Sequence, residues 1–209
     1  VYDIYFLSFR NMSFIESYNS LVSYNNIGLR FNGQKDNFIL ESELTLQTSS
    51  GTSSKNDVSA SLFSFNLGYK PDGIGLLNSV FLGLDRISGD DSSTETAEGF
   101  SKEFGARHKH HGFYDYNLHK KYFGHGHDGL NEINVKANID ILKRTNLLVA
   151  LHNFRSAVKD IYYGSEVNFI FKTKHNEEVS SEIGSVFYFP DQGDKKTLPF
   201  FYLMITANF

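Results

Sequence analysis

The stretch GLNEINVKANIDI, residues 129–141, alternates almost without a break. Ile133, Val135, Ala137, Ile139 and Ile141 share one parity, and Glu132, Asn134, Lys136, Asn138 and Asp140 share the other. A helix would scatter such a series around its circumference. An extended strand sends successive side chains to opposite faces and keeps each set together. The same rhythm runs through NFILESELTLQ, with Phe38, Leu40, Leu44 and Leu46 against Glu41, Glu43, Thr45 and Gln47. It returns in SEVNFIFK, with Val167, Phe169 and Phe171 against Glu166, Asn168 and Lys172. The chain is therefore expected to be all-β. Ten strands are predicted, near residues 1–11, 25–33, 37–48, 57–69, 76–87, 130–142, 146–155, 161–172, 178–189 and 198–209.

Several of these segments reach the ~9–11 residues that cross a bilayer when tilted, against ~5–6 for an ordinary soluble strand. The connections near 34–36, 70–75, 143–145 and 173–177 are short and polar, and those near 12–24, 49–56, 88–129, 156–160 and 190–197 are mostly longer. Between antiparallel neighbours that pattern sorts loop length by end, as in outer-membrane barrels. No apolar run approaches the ~18 residues of a spanning helix, which leaves a β-barrel untouched as a way across. Aromatic residues make up 15 % of the 209, with no tryptophan and no cysteine. The absence of cysteine removes disulfides, thiolate metal sites and a cysteine nucleophile. A net charge of −4 argues against nucleic acid as a partner. The chain opens on Val1 without an initiator methionine, as expected of a mature form or a fragment. It ends FFYLMITANF, with Phe201, Leu203, Ile205, Ala207 and the final Phe209 in one parity. An aromatic-ended last strand resembles the signal that bacterial barrel-assembly machinery reads. The fold class expected is an antiparallel transmembrane β-barrel, residues 1–209 forming a single domain.

VFLGLDRISGDD, then FGARHKHHGFYDY, then DGLNEINVKANIDI resemble the alginate-export family of outer-membrane porins. The residues carrying the likeness are Asp85, Ser88, Gly89, Asp90, His108, Lys109, Gly112, Phe113, Asp115, Tyr116, Gly129 and Leu130. GLRFNGQKDNFILESELTLQTSS and DVSASLFSFNLGYK resemble the strands that precede them in that family. The resemblance implies a barrel of about eighteen strands in the outer membrane of a Gram-negative bacterium. Ten strands would then be its C-terminal portion. Closed on themselves, ten would leave a lumen largely filled by side chains. The function implied is passive passage of an anionic or polar solute, a polysaccharide in the family's case, with no catalytic cycle. The alternative is a non-conducting scaffold barrel inside a larger envelope complex.

The long outer loop, 88–129, holds six of the eight histidines between Ala106 and Gly129. From Lys102 to Lys121 it carries five Lys or Arg against Glu103 and Asp115. In the family a loop here folds toward the pore, which makes Arg107, His108, Lys109, Asp115, Lys120 and Lys121 the candidate solute-binding set. Tyr114, Tyr116 and Tyr122 are placed to stack on sugar rings or join an aromatic girdle. Rings of basic side chains select anions. The expected lumen-facing wall consists of Arg30, Lys136 and Lys172 against Glu41, Glu43, Asp85, Glu132, Asp140, Glu166 and Glu182, an acidic balance that suits a polyuronate poorly. These carboxylates are expected to be wetted wall residues, many of them cross-paired with lysine. No cofactor is required. Imidazoles in the Arg107–His111 run and at His125 and His127 are metal-ligand types, and Asp90 and Asp91 in SGDDSST are oxygen donors for calcium. Neither set has the spacing of an established zinc or EF-hand site.

Overall fold

The computed structural model describes residues 1–10, 23–49, 57–101, 111–113, 127–191 and 196–208. Arg107, His108, Lys109, Asp115, Lys120, Lys121, Tyr114, Tyr116, Tyr122, His125 and Phe209 lie outside them. Ten strands form one antiparallel sheet: β1 (Tyr2–Arg10), β2 (Ser23–Lys35), β3 (Phe38–Ser49), β4 (Ser59–Tyr69), β5 (Leu77–Ile87), β6 (Leu130–Leu142), β7 (Thr145–Arg155), β8 (Tyr162–Lys174), β9 (Val179–Pro190) and β10 (Leu198–Ala207). Each end falls within two residues of its sequence expectation. No helix occurs among the described residues. Spatial order equals chain order, so every strand hydrogen-bonds its sequence neighbour. This meander puts the connections 36–37, 70–76, 143–144 and 175–178 at one end and the others, mostly longer, at the opposite end. Among the described residues β1 pairs only with β2 and β10 only with β9, so the sheet is open and not a closed ten-stranded barrel.

Register turns the period-two pattern into two chemically distinct faces. One cross-strand row runs Gly33, Leu40, Leu67, Leu82, Val135, Leu151, Val167, Phe187, Pro199 from β2 to β10 without a polar side chain. Leu67, Leu82, Val135 and Leu151 in that row are exposed, as are Ile4, Phe6, Ile27, Leu29, Phe171, Ile183, Leu203 and Ile205 on the same face. The opposite face carries the polar parity. A row there reads Asn32, Glu41, Asn66, Gly83, Asn134, His152, Glu166, Tyr188. Every charge named above for the wall lies on this polar face, and the apolar residues lie opposite, as the alternation requires.

The buried core is on the polar face, at the long-loop end. Ala60, Ile87, Leu130, Phe154, Tyr163 and Tyr188 of the sheet close around Phe100 of the 88–129 loop. Burying apolar side chains here requires the loop to lie over the sheet.

Both outermost strands are held by the same device. The Tyr5 ring of β1 lies over Gly28 and its hydroxyl hydrogen-bonds Glu43 and Thr45, both at 2.6 Å. At the other edge the Tyr202 ring of β10 lies over Gly184, and its hydroxyl donates to Glu182. An aromatic ring on a cross-strand glycine pins register. A Cβ at Gly184 would overlap the Tyr202 ring. Gly184→Ala is therefore expected to cost about 1–3 kcal/mol through overpacking, read as a lower urea midpoint. Ser185→Ala, on the opposite face, is the control.

Candidate functional site

Asp85 of β5 and Glu132 of β6 stand directly opposite each other on the polar face. Like charges in that position repel, and both are buried, at 7 % and 2 % exposure. An imidazole from the long loop relieves the conflict. His111 Nδ1 lies 2.7 Å from Glu132 Oε2 and 3.7 Å from Asp85 Oδ2. A second imidazole comes from the sheet: His152 of β7 places Nδ1 2.7 Å from Glu132 Oε1. Asn134 adds an amide donor to the same oxygen at 3.0 Å. Glu132 thus uses both oxygens to bind two histidines. Asp85 Oδ1, Asn134 Oδ1 and both side-chain polar atoms of Asn168 are buried with no hydrogen-bond partner among the described residues.

Glu166 of β8, opposite His152, is fully buried and accepts the Phe113 backbone N–H at 2.7 Å. The preceding Gly112 has φ +78°, and a Cβ there would run into the Glu166 carboxylate. Only glycine meets both demands readily. The Phe113 ring stacks on Tyr202 of β10, centroids 5.4 Å apart. On the other side Gln47 of β3 forms a two-way clamp with the Ser101 backbone, donating to its carbonyl at 3.1 Å and accepting from its N–H at 3.0 Å. The described parts of the loop therefore touch the polar face from β3 to β10.

The loop's first turn closes on its own carboxylates and is tied to the start of β4 through Ala97, whose backbone bonds Asp57 and Ser59. Asp90 accepts the backbone N–H groups of Glu98 and Gly99, and Asp91 accepts that of Ser93 at 2.9 Å. The hydrogen bonds from Ser93 hold the Asp91 carboxyl below the usual carboxylate range. Asp90 and Asp91 thus spend hydrogen-bonding capacity on closing the turn.

The remaining wall charges are spread out. Lys172 pairs with Glu182 at 3.2 Å. Asp140 accepts from Asn78 at 2.9 Å and Asn146 at 3.1 Å. With Lys172 and Glu182 it borders an open recess of about 880 Å³ at the short-turn end. Arg30 is opposite Glu43, and Lys136 is half-buried near the middle of β6.

This geometry corrects the sequence expectation in one respect. Asp85, Glu132 and Glu166 are not wetted wall residues cross-paired with lysine. They lie beneath the loop and hold it, through imidazoles and a backbone amide. The sequence reading did not single out Gln47, His152 or His111 as anchors. Inward parity in LLVALHNFR was the available signal for His152.

The site belongs to a class defined by its architecture: an open antiparallel meander with one apolar face and one polar face, the latter spanned by an anchored loop. No family model matches the chain, and a search of curated proteins finds no match either.

Proposed function

We propose that this chain is the wall of an outer-membrane β-barrel channel that passes an anionic or polar solute beside an inward-folded loop. The carrying observation is the unbroken apolar row from Leu40 to Phe187 on the face opposite the buried polar cluster. Water gives a sheet no reason to expose such a row, whereas lipid does. The strands, from 9 residues in β1 to 13 in β2, are long enough to cross. In this reading further strands complete the wall at the open edges of β1 and β10, and the barrel sits in the outer membrane of a diderm bacterium. Outer-membrane lipid covers the apolar face, and the assembly machinery engages the last strand.

Burial under the loop also bears on the solute. With Asp85, Glu132 and Glu166 covered, the exposed or half-exposed charges on the polar parity of the strands are Arg30, Lys136, Lys172 and Lys174 against Asp3, Glu41, Glu43, Asp140 and Glu182. The acidic excess that argued against a polyanion is mostly the loop's anchorage. A polyuronate, as the resemblance to the alginate-export family suggests, becomes compatible with this wall.

The test is single-channel conductance of the purified protein in planar bilayers, with the intact mass measured on the same sample. Discrete current steps with weak ion selectivity are expected. Neutralising Arg107, Lys109, Lys120 and Lys121 together is expected to shift selectivity toward cations. Folded protein that carries no current would sink the channel reading. It would favour a scaffold barrel within a larger envelope complex, a reading supported by Phe100, Phe154, Tyr163 and Tyr188 filling the polar side at the long-loop end.

A further inference from the structure

We propose that Asp85, His111 and Glu132 bind a first-row divalent cation of the zinc class, which fastens the 88–129 loop to the sheet. The site does not depend on the channel reading, because it needs only the loop and strands β5 to β7. The three residues come from three different places in the chain, and all are buried, at 7 %, 5 % and 2 % exposure. One donor atom from each lies within 4.8 Å of the others. The separations of His111 Nδ1 from Glu132 and Asp85, 2.7 Å and 3.7 Å, bracket the about 3.3 Å between neighbouring donors of a tetrahedral site with zinc–ligand bonds near 2.0–2.1 Å. A cation between them takes the place of the Nδ1 proton of His111, and that proton leaves to solvent.

Two further observations point to a cation and not only to a hydrogen-bond network. The first is a surplus of acceptors. Among the described residues Asp85 Oδ1 is buried without a hydrogen-bond partner beside the cluster, and so is Asn134 Oδ1 on the residue whose amide touches Glu132. Buried polar atoms are rarely left in that state. The second is charge. Two carboxylates face each other across adjacent strands, and among the described residues no lysine or arginine pairs with either. A divalent ion neutralises both at once. His152 completes the arrangement as a positioning residue. Its Nδ1 holds Glu132 Oε1 at 2.7 Å and so leaves Oε2 turned toward His111 and Asp85. Partners of this kind commonly change metal affinity by about 10–100-fold. One imidazole with two carboxylates is a donor set for zinc or manganese, and it is too nitrogen-rich for calcium.

The experiment uses the whole purified chain in detergent, stripped with chelator and then titrated with zinc. Calorimetry is expected to give one ion per chain. Asp85→Asn is expected to weaken uptake at least about tenfold and His152→Ala by about 10–100-fold. His125→Ala with His127→Ala is expected to leave it unchanged. X-ray absorption of the zinc-loaded wild type needs no variant. One imidazole with oxygen donors is expected, and two or more imidazoles would overturn the site in favour of the loop's other histidines. A wild-type chain that takes up no zinc, or an Asp85→Asn chain that binds it as tightly as wild type, would overturn it as well. In either case the cluster holds protons alone. Conductance plays no part in these readouts, so failure here leaves the channel reading standing.

Discussion

Replacing Glu132 by alanine is expected to remove about 3–5 kcal/mol of folding stability, the range for stripping one partner from a buried charged cluster. The carboxylate is 2 % exposed and receives His111, His152 and the Asn134 amide. Its removal takes the common acceptor from two imidazoles that are themselves 5 % and 4 % exposed. It also leaves a cavity between β6 and the loop. Reversible urea unfolding in lipid vesicles, followed by circular dichroism, measures the change; with no tryptophan in the chain, backbone signal is the better reporter. Glu41→Ala is the internal control. It removes a carboxylate from the same face, but one that is exposed and, among the described residues, accepts a single long 3.5 Å side-chain hydrogen bond from Asn32, so a change within about 0.5 kcal/mol is expected. Equal effects at the two positions would mean that the cluster does not hold the loop. A large gap would also make the loop's ends more open to protease in Glu132→Ala than in Glu41→Ala.

The contrast between these two glutamates marks the boundary of what the sequence made legible. Both follow the same parity rule, and by that rule alone they are equivalent wall residues. Strands could be read because alternation is local: Ile133, Val135 and Ala137 announce a face within five positions. Burial by a loop is not local. Glu132 meets His111 across 21 residues, Glu166 meets Phe113 across 53, and Gln47 meets Ser101 across 54. Nothing periodic in HKHHGFYDY says which histidine turns toward the sheet. Gly112 is the closest thing to a local signal, since its left-handed backbone turns the chain toward Glu166. The resemblance to a porin family drew attention to the basic residues of the loop. The anchors are instead an amide, two imidazoles and three carboxylates.

Placing arginine at Val135 is expected to cost about 2–4 kcal/mol in a bilayer, the penalty for a cationic side chain at mid-depth on a lipid-facing barrel strand. Val135 is near the middle of β6, 42 % exposed, and its cross-strand neighbours Leu82 and Leu151 are 47 % and 49 % exposed. In water the same substitution would be nearly silent, because a half-exposed valine gives up little and an arginine there is solvated; a change within about 0.5 kcal/mol would follow. The two environments therefore predict different numbers for one residue, and no knowledge of solute or partner is required. Asn32→Arg on the polar face is the control, with Glu41 opposite to receive the charge. Depth provides a second check. Lipid makes the penalty fall toward zero near the interfaces, so Leu142→Arg, at the short-turn end of the same strand, is expected to be far milder than Val135→Arg. A penalty that peaks at mid-strand on one face and vanishes on the other is the signature of a membrane-spanning sheet. A flat profile would return the apolar row to the role of a protein interface and leave the anchored loop as the feature still to be explained.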